Sequence, residues 1–240
     1  MDVRRREIGS EEKECAEMAG ITSTRVAMYD LLFDVFVGLP GDALLSEIKR
    51  GRFEALLSTD TEEVDQKTRE GARLIASFRS SVGHRSPDIL VKELLADRTR
   101  VIRATGEKGF RPPYERLYVA NPSGDGPLLQ ALNKFYRKAG LSLDDVSGES
   151  PDFLFVELDF MKQLCLREIE ESLCGALADA TRTVELEFLR KHLGSWAGAY
   201  CAEAERYAHT VFYRGFLAVL AGFIGSEISH LNGQVSSRQQ

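Results

Sequence analysis

Two carboxylates stand in the most apolar run of the chain. Glu157 follows Phe153-Leu154-Phe155-Val156, and Asp152 opens the same segment behind Ser150 and Pro151. A carboxylate in such surroundings is either an acid/base group of displaced pKa or a structural charge with a partner. Asp159 comes two residues after Glu157, and helical positions at that spacing do not face each other, so a joint acid/base role is not indicated. The expected structural partner of Glu157 is Arg100 or Arg116. Other chemistry lacks its pattern. The four histidines (His84, His192, His209, His230) form no H-x-x-x-H or H-E-x-x-H pair for zinc. Gly194-Ser195-Trp196-Ala197-Gly198 has the wrong spacing for a nucleophile elbow. Gly124 and Gly126 follow no strand and complete no dinucleotide fingerprint, and no P-loop occurs. Cys15, Cys165, Cys174 and Cys201 are dispersed without a C-x-x-C, which suggests neither a zinc site nor a disulfide framework and fits a reducing cytoplasm. No metal or cofactor is expected.

These residues must be held by a soluble globular fold. Of 240 residues, 43% are hydrophobic and 28% charged, a balance that excludes a disordered chain. The formal net charge of −6 argues against a dedicated nucleic-acid binder, whose footprint would be basic. The longest uncharged apolar window lies between Arg214 and Glu227, short of the ~20 residues that span a bilayer, so no stable membrane insertion is expected. Charged residues follow the N-terminal arginines where a signal peptide would need an apolar stretch.

The apolar positions repeat with the helical period. Met28, Leu32, Val35 and Phe36 form one stripe, Leu128, Leu132, Phe135 and Ala139 another, and Phe212, Phe216, Val219, Leu220 and Phe223 a third. The pattern predicts an all-α, single-domain bundle of nine to ten helices near 11–37, 41–57, 60–82, 87–104, 126–140, 151–172, 176–193, 195–208 and 210–227. Residues 1–10 are expected to be flexible, 11–230 to form the domain and 231–240 to be a disordered tail. Ser150, Pro151 and Asp152 read as cap, first turn and dipole-complementing acid of one helix. The longest irregular stretch, Thr105 to Gly126, holds Pro112-Pro113-Tyr114 and Asn121-Pro122-Ser123, and a connection of that length is more often functional than not. Residues 144–171 carry nine acids against two bases, an excess larger than that of the whole chain.

Five phrases in order resemble the TorD/DmsD family of redox-enzyme maturation chaperones and the related NarJ group. They are Tyr29-Asp-Leu-Leu-Phe-Asp-Val-Phe, Pro112-Pro113-Tyr114-Glu115-Arg116-Leu117-Tyr118, Phe135-Tyr136-Arg137-Lys138-Ala139-Gly140-Leu141, Pro151-Asp152-Phe153 with Val156-Glu157-Leu158-Asp159-Phe160-Met161, and Phe188 to Leu193 with Trp196 and Phe212-Tyr213. The resemblance implies a TorD-like cytoplasmic chaperone, monomer or homodimer, without chemistry of its own. Its implied partner is an immature molybdopterin-containing oxidoreductase catalytic subunit, held at its N-terminal twin-arginine signal peptide until cofactor insertion, which prevents premature export. The chain departs from the family where Phe153 follows Asp152 in place of the family's histidine, so that histidine's role does not transfer.

From the resemblance, the client-binding groove is expected to comprise Asp97, Val101 and Ile102, then Pro113, Tyr114, Glu115 and Tyr118, then Asp152, Phe153 and Glu157. Asp97, Glu115 and Asp152 are expected to meet client arginines. Each also has a plainer role: Asp152 as a helix-start acid, Phe153 as core, Tyr118 packing the loop onto the bundle, and the acidic run as a solvated face. Trp196 and Phe212-Tyr213 read as core. Two other classes stay open on the residues alone: an all-α small-ligand regulator with a pocket between helices, and an enzyme using Glu157 or Asp152 as acid/base.

Overall fold

The computed structural model describes residues 2–57, 64–104, 109–120, 124–140, 149–173 and 178–236, with side chains from Gly20 onward. Ten α-helices make up the order among these residues: α1 (Asp2–Val37), α2 (Asp42–Arg50), α3 (Arg52–Leu56), α4 (Gln66–Val82), α5 (Pro87–Arg103), α6 (Asp125–Lys138), α7 (Leu154–Leu173), α8 (Asp179–Lys191), α9 (Leu193–Tyr207) and α10 (Val211–Ser236). A 3-10 turn covers Glu115–Leu117. The only β-type pairing among the described residues is one isolated bridge. The expected helix starts at 60 and 176, Asn121-Pro122-Ser123 of the loop, Asp144 and Asp145 of the acidic run, and Cys174 lie outside the described residues.

The helix ends follow the local chemistry. Asp65 caps α4 by accepting the amides of Lys67 (2.8 Å) and Thr68 (3.1 Å). Pro87 sits in the first turn of α5 and Asp88 beside it complements the positive end. Gly51, at φ 71°, turns the chain between α2 and α3, which periodicity alone merges into one helix near 41–57. α1 starts at Asp2 and α10 continues to Ser236, beyond the apolar pattern at 11 and 227.

α10 is the central helix, packed most extensively on α4 and then on α9 and α8, while α1 lies along α7. Its residues Phe212 to Leu220 are buried on nearly every face, save the partly exposed Arg214. By length and composition it is apolar enough to cross a membrane, contrary to the shorter window expected, but 67% of its most apolar stretch is buried inside the bundle. Small residues set the α4–α10 approach: a Cβ on Gly71 would lie 2.4 Å from the Gly215 carbonyl oxygen, under the contact real Cβ atoms show. One contiguous apolar cluster runs from Met28 to Leu231 and includes Trp196, Phe153, Phe212 and Tyr213.

Polar groups also enter this core. The Arg25 guanidinium on α1 receives Glu227 of α10 (2.9 Å), Glu168 of α7 (2.7 Å) and Glu185 of α8 (2.5 Å), all buried. Arg182 adds a second cation to Glu168 (2.6 Å), and the Tyr29 hydroxyl donates to Glu227 (2.9 Å). Four helices are thereby tied through one arginine, and a buried carboxylate is tolerated only when partnered in this way. Local sequence pattern gave no sign of it.

Candidate functional site

The central loop and the mouth of α7 are stitched together by backbone. The Glu115 amide donates to the Asp152 carbonyl (2.9 Å) and the Leu154 amide to the Pro113 carbonyl (3.0 Å), an antiparallel bridge between Tyr114 and Phe153. α7 therefore starts at Leu154, after the bridge, and not at the Ser150-Pro151-Asp152 start that the sequence suggests. Behind the bridge the Tyr114 and Phe153 rings lie 4.9 Å apart, and Phe153 meets Phe155 edge-on at 4.9 Å. Tyr136 of α6 fixes the turn from below, its hydroxyl donating to the Pro151 carbonyl (2.8 Å).

Asp152 is fully buried and its oxygens are occupied. Oδ1 receives the Arg116 guanidinium (2.5 Å) and the Ser150 hydroxyl (2.5 Å), and Oδ2 receives the Arg116 amide (3.3 Å). The same guanidinium lies over the Tyr114 ring at 4.7 Å. Tyr114 is partly exposed, its hydroxyl 3.5 Å from Glu149, and its pKa is raised by burial and by that carboxylate.

A second, wholly buried chain of polar groups starts one residue later. His192, between α8 and α9, places Nδ1 3.1 Å from both oxygens of Glu115. Glu115 in turn faces Glu157, whose other oxygen accepts the Trp196 indole N–H (3.2 Å). Burial, then the neighbouring Glu115 charge, pushes the Glu157 carboxyl well above the usual carboxylate range. Oε1 of Glu157 meets no hydrogen-bond partner, so this buried carboxyl is held through its other oxygen alone. The partner expected for Glu157, Arg100 or Arg116, is not the one found. Arg100 pairs with Asp97 and Arg116 with Asp152.

The residues expected to form one groove divide into two groups. Pro113, Tyr114, Glu115, Tyr118, Asp152, Phe153 and Glu157 are brought together, Tyr118 through its stack on Trp196 at 5.7 Å. Asp97 is elsewhere: its carboxylate takes the amides of His209 (2.8 Å) and Thr210 (2.7 Å) at the start of α10. Val101 and Ile102 are core, and the Val101 carbonyl accepts the Tyr200 hydroxyl (3.1 Å). The acids expected to greet client arginines are instead interior. Asp97 and Glu115 are 1% exposed and Asp152 and Glu157 0%, each already bonded within the fold. Sequence reading offered Arg116 to Glu157 where its partner is Asp152, and it missed His192 as the partner of Glu115. The signal available for Arg116 was its place beside Glu115, between the aromatic residues of the loop.

Around the bridge the surface is aromatic and carries arginines paired with carboxylates. Arg111 stacks over Tyr118 (4.1 Å) and pairs with Glu203 (2.6 Å), Arg103 reaches Glu149 (3.5 Å), and Leu117 is 37% exposed. Two open clefts of ≈540 and ≈570 Å³ lie elsewhere. One is between α4, α5 and the α9–α10 turn, beside Arg100 and His209; the other runs along α1, α4 and α10, beside Met28 and Phe223. Asp152 and Glu157 line neither. Among the described residues no group of three or more His, Cys, Asp or Glu is arranged to hold a metal ion.

Residues 61–202, which include the loop, the bridge, Glu157 and Trp196, match the nitrate reductase delta subunit family. The chain belongs to that family. It is 26% identical to the perchlorate reductase assembly chaperone protein of Dechloromonas aromatica over 124 residues, 52% of this chain and 55% of that protein. It is 31% identical to the selenate reductase assembly chaperone protein of Thauera selenatis over 110 residues, 46% of this chain and 56% of that one. The chain thus spans about half the length of these two relatives. With the chaperone protein TorD of Shewanella piezotolerans the identity is 22% over 225 residues, 90% of this chain and 96% of the relative. No solved structure is found to match the chain. The family match leaves out Arg25 and Glu227, so the four-helix charge cluster is only partly inside the matched region.

Proposed function

We propose that this family member is a cytoplasmic assembly chaperone that holds an immature molybdopterin-containing oxidoreductase subunit at its N-terminal signal peptide. The observation that carries the reading is the TorD match along 90% of the chain, with relatives named as assembly chaperones of perchlorate and selenate reductases. The site supports it in one respect: Asp152 and Glu157 are enclosed and bonded internally, which suits a frame for a binding surface better than acid/base groups awaiting a substrate. In this reading Tyr114, Leu117 and Tyr118 contact the client, while the buried Pro113, Glu115, Asp152, Phe153 and Glu157 fix the loop that presents them.

Magnitudes assign the work. Burying one leucine-sized side chain is worth ~1.5–3 kcal/mol, an exposed ion pair ~0–1 kcal/mol, and micromolar binding needs about 8 kcal/mol. The apolar stretch of the signal peptide then supplies most of the affinity and its arginines the orientation. The test is purification of the tagged chain from its native host. An oxidoreductase subunit should co-purify, and Tyr114→Ala should reduce its recovery without unfolding the bundle. Recovery of no such subunit, or full recovery with Tyr114→Ala, Leu117→Ala and Tyr118→Ala together, overturns the function or the site respectively.

A further inference from the structure

The Asp152 pocket has the make-up of a receptor for a guanidinium. Its buried carboxylate lies at the base, the Ser150 hydroxyl beside it (2.5 Å), and the Tyr114 ring forms one wall. A guanidinium is recognised by this combination of carboxylate and aromatic face. The occupant is the chain's own Arg116, bonded to Asp152 (2.5 Å) and Ser150 (2.9 Å) and stacked on Tyr114 (4.7 Å). Arg116 is not sealed in: its side chain is 24% exposed. It also has somewhere to go, because Nε already lies 3.9 Å from Asp125, a carboxylate that is 62% exposed at the start of α6.

We propose that Arg116 is a resident stand-in, and that an arginine of the client takes its place on Asp152, Ser150 and Tyr114 while Arg116 turns to Asp125. The proposal rests on the signal-peptide reading above and deepens it by naming the subsite for one arginine. Exchange, not addition, follows from burial. Emptying the pocket would strand a buried carboxylate with one hydroxyl and one amide, so one cation leaves only as another enters. Exchange also reconciles the interior position of Asp152 with a part in recognising a cationic peptide. The backbone bridge between Tyr114 and Phe153 need not break, since it is made by main-chain groups and not by the Arg116 side chain. A resident competitor lowers apparent affinity by the fraction of time it holds the pocket, and removing it restores that affinity.

Calorimetric titration tests this with two synthetic peptides, one with two consecutive arginines before a leucine-rich stretch, the other with glutamines in their place. Against the parent chain, Arg116→Gln should bind the arginine peptide about tenfold more tightly and the glutamine peptide unchanged. Unaltered or weaker binding of the arginine peptide, or equal tightening of both, overturns the exchange. Should Arg116→Gln fail to fold, Arg116→Ala is tested for recovery of its thermal transition in millimolar methylguanidinium, with Arg116→Ala/Asp152→Asn as the control. Recovery in the single variant alone supports the pocket, and no recovery overturns it. Failures of the two ideas separate cleanly. A chain that retains the co-purifying subunit but shows no arginine-dependent tightening loses the exchange and keeps the chaperone reading. A chain that captures neither subunit nor peptide loses both.

Discussion

Asp97 and Arg98, side by side on α5, close opposite ends of two other helices. Asp97 accepts the Thr210 amide (2.7 Å) and hydroxyl (2.6 Å) at the N-terminus of α10, while Arg98 donates to the Phe36 (2.8 Å) and Val37 (2.6 Å) carbonyls at the C-terminus of α1. The signs are right for the helix dipoles, an acid at the positive end and a base at the negative end. One dipeptide thus fixes where the central helix starts and where the first one stops.

Asp97→Ala should therefore act on stability and not on client binding. It removes a cap, worth up to ~2 kcal/mol, and a buried charged acceptor, worth ~1.5–3 kcal/mol. A combined loss of roughly 2–3 kcal/mol corresponds to a fall in Tm of about 4–12 °C in a chain of this size. A scanning-calorimetry shift below about 1 °C would contradict the capping role, and loss of client capture at unchanged Tm would return Asp97 to the binding groove.

Gly71→Ala should destabilise although it lies inside α4. Alanine gains ~1 kcal/mol of helix propensity over glycine. Its methyl would meet the Gly215 carbonyl oxygen at 2.4 Å and Val219 Cγ2 at 2.7 Å, so α4 and α10 would have to separate. Overpacking typically costs ~1–3 kcal/mol, and backbone yields less readily than a side-chain tip. The net effect is a loss of about 1–2 kcal/mol in urea unfolding, and a variant as stable as the parent would show that the two helices are not held at this distance.

The fold was legible because its stripes are local. Leu32 and Phe36, or Phe212 and Phe216, announce a buried helix face from spacing alone. The break at Gly51 was lost because residues on both sides keep an amphipathic pattern, and only the positive φ separates them. The site was legible as a set of segments but not as a set of roles. Pro113-Tyr114 and Asp152-Phe153 meet as the resemblance implies. That Asp152 faces Arg116, Glu115 faces His192 (3.1 Å) and Arg25 gathers three carboxylates are pairings made across 36, 77 and up to 202 residues of chain. No local period encodes such partners. For the same reason an acid in an apolar run read equally well as ligand-facing and as internally paired.

The Arg25 cluster should make stability fall as pH rises toward neutrality. Burial is the main cause that lifts Glu185 from its ordinary 4.5 to about 7, opposed by the Arg25 charge and assisted by Glu168 and Glu227. One of its oxygens, Oε1, receives no hydrogen bond. A carboxyl whose folded pKa is raised gives its full stabilisation below about 4.5, and that stabilisation is lost as pH climbs through about 7. At ~1.4 kcal/mol per tenfold, the ceiling is roughly 3 kcal/mol. Glu185→Gln stays neutral, so its stability relative to the parent should be about 2 kcal/mol better at pH 8 than at pH 5. Parallel pH profiles for the two proteins would rule this out.

Glu157 calls for the opposite comparison, between a mimic and a deletion. The carboxyl accepts from Trp196 through one oxygen (3.2 Å), and its other oxygen has no hydrogen-bond partner. Glutamine keeps the acceptor for the indole through its carbonyl, and it never has to hold a proton. The Glu157 pKa is raised by burial first and Glu115 second, so its contribution is complete at acid pH and declines as pH rises above the ordinary carboxylate range. Glu157→Gln should match the parent within about 0.5 kcal/mol near pH 5 and exceed it at pH 8. Glu157→Ala leaves the Trp196 N–H without its acceptor and opens a void at a fully buried position, at a loss of about 3 kcal/mol or more at either pH. Urea midpoints at the two pH values decide the matter. If glutamine destabilises as much as alanine at pH 8, the carboxyl is ionised in the fold and its raised pKa is refuted.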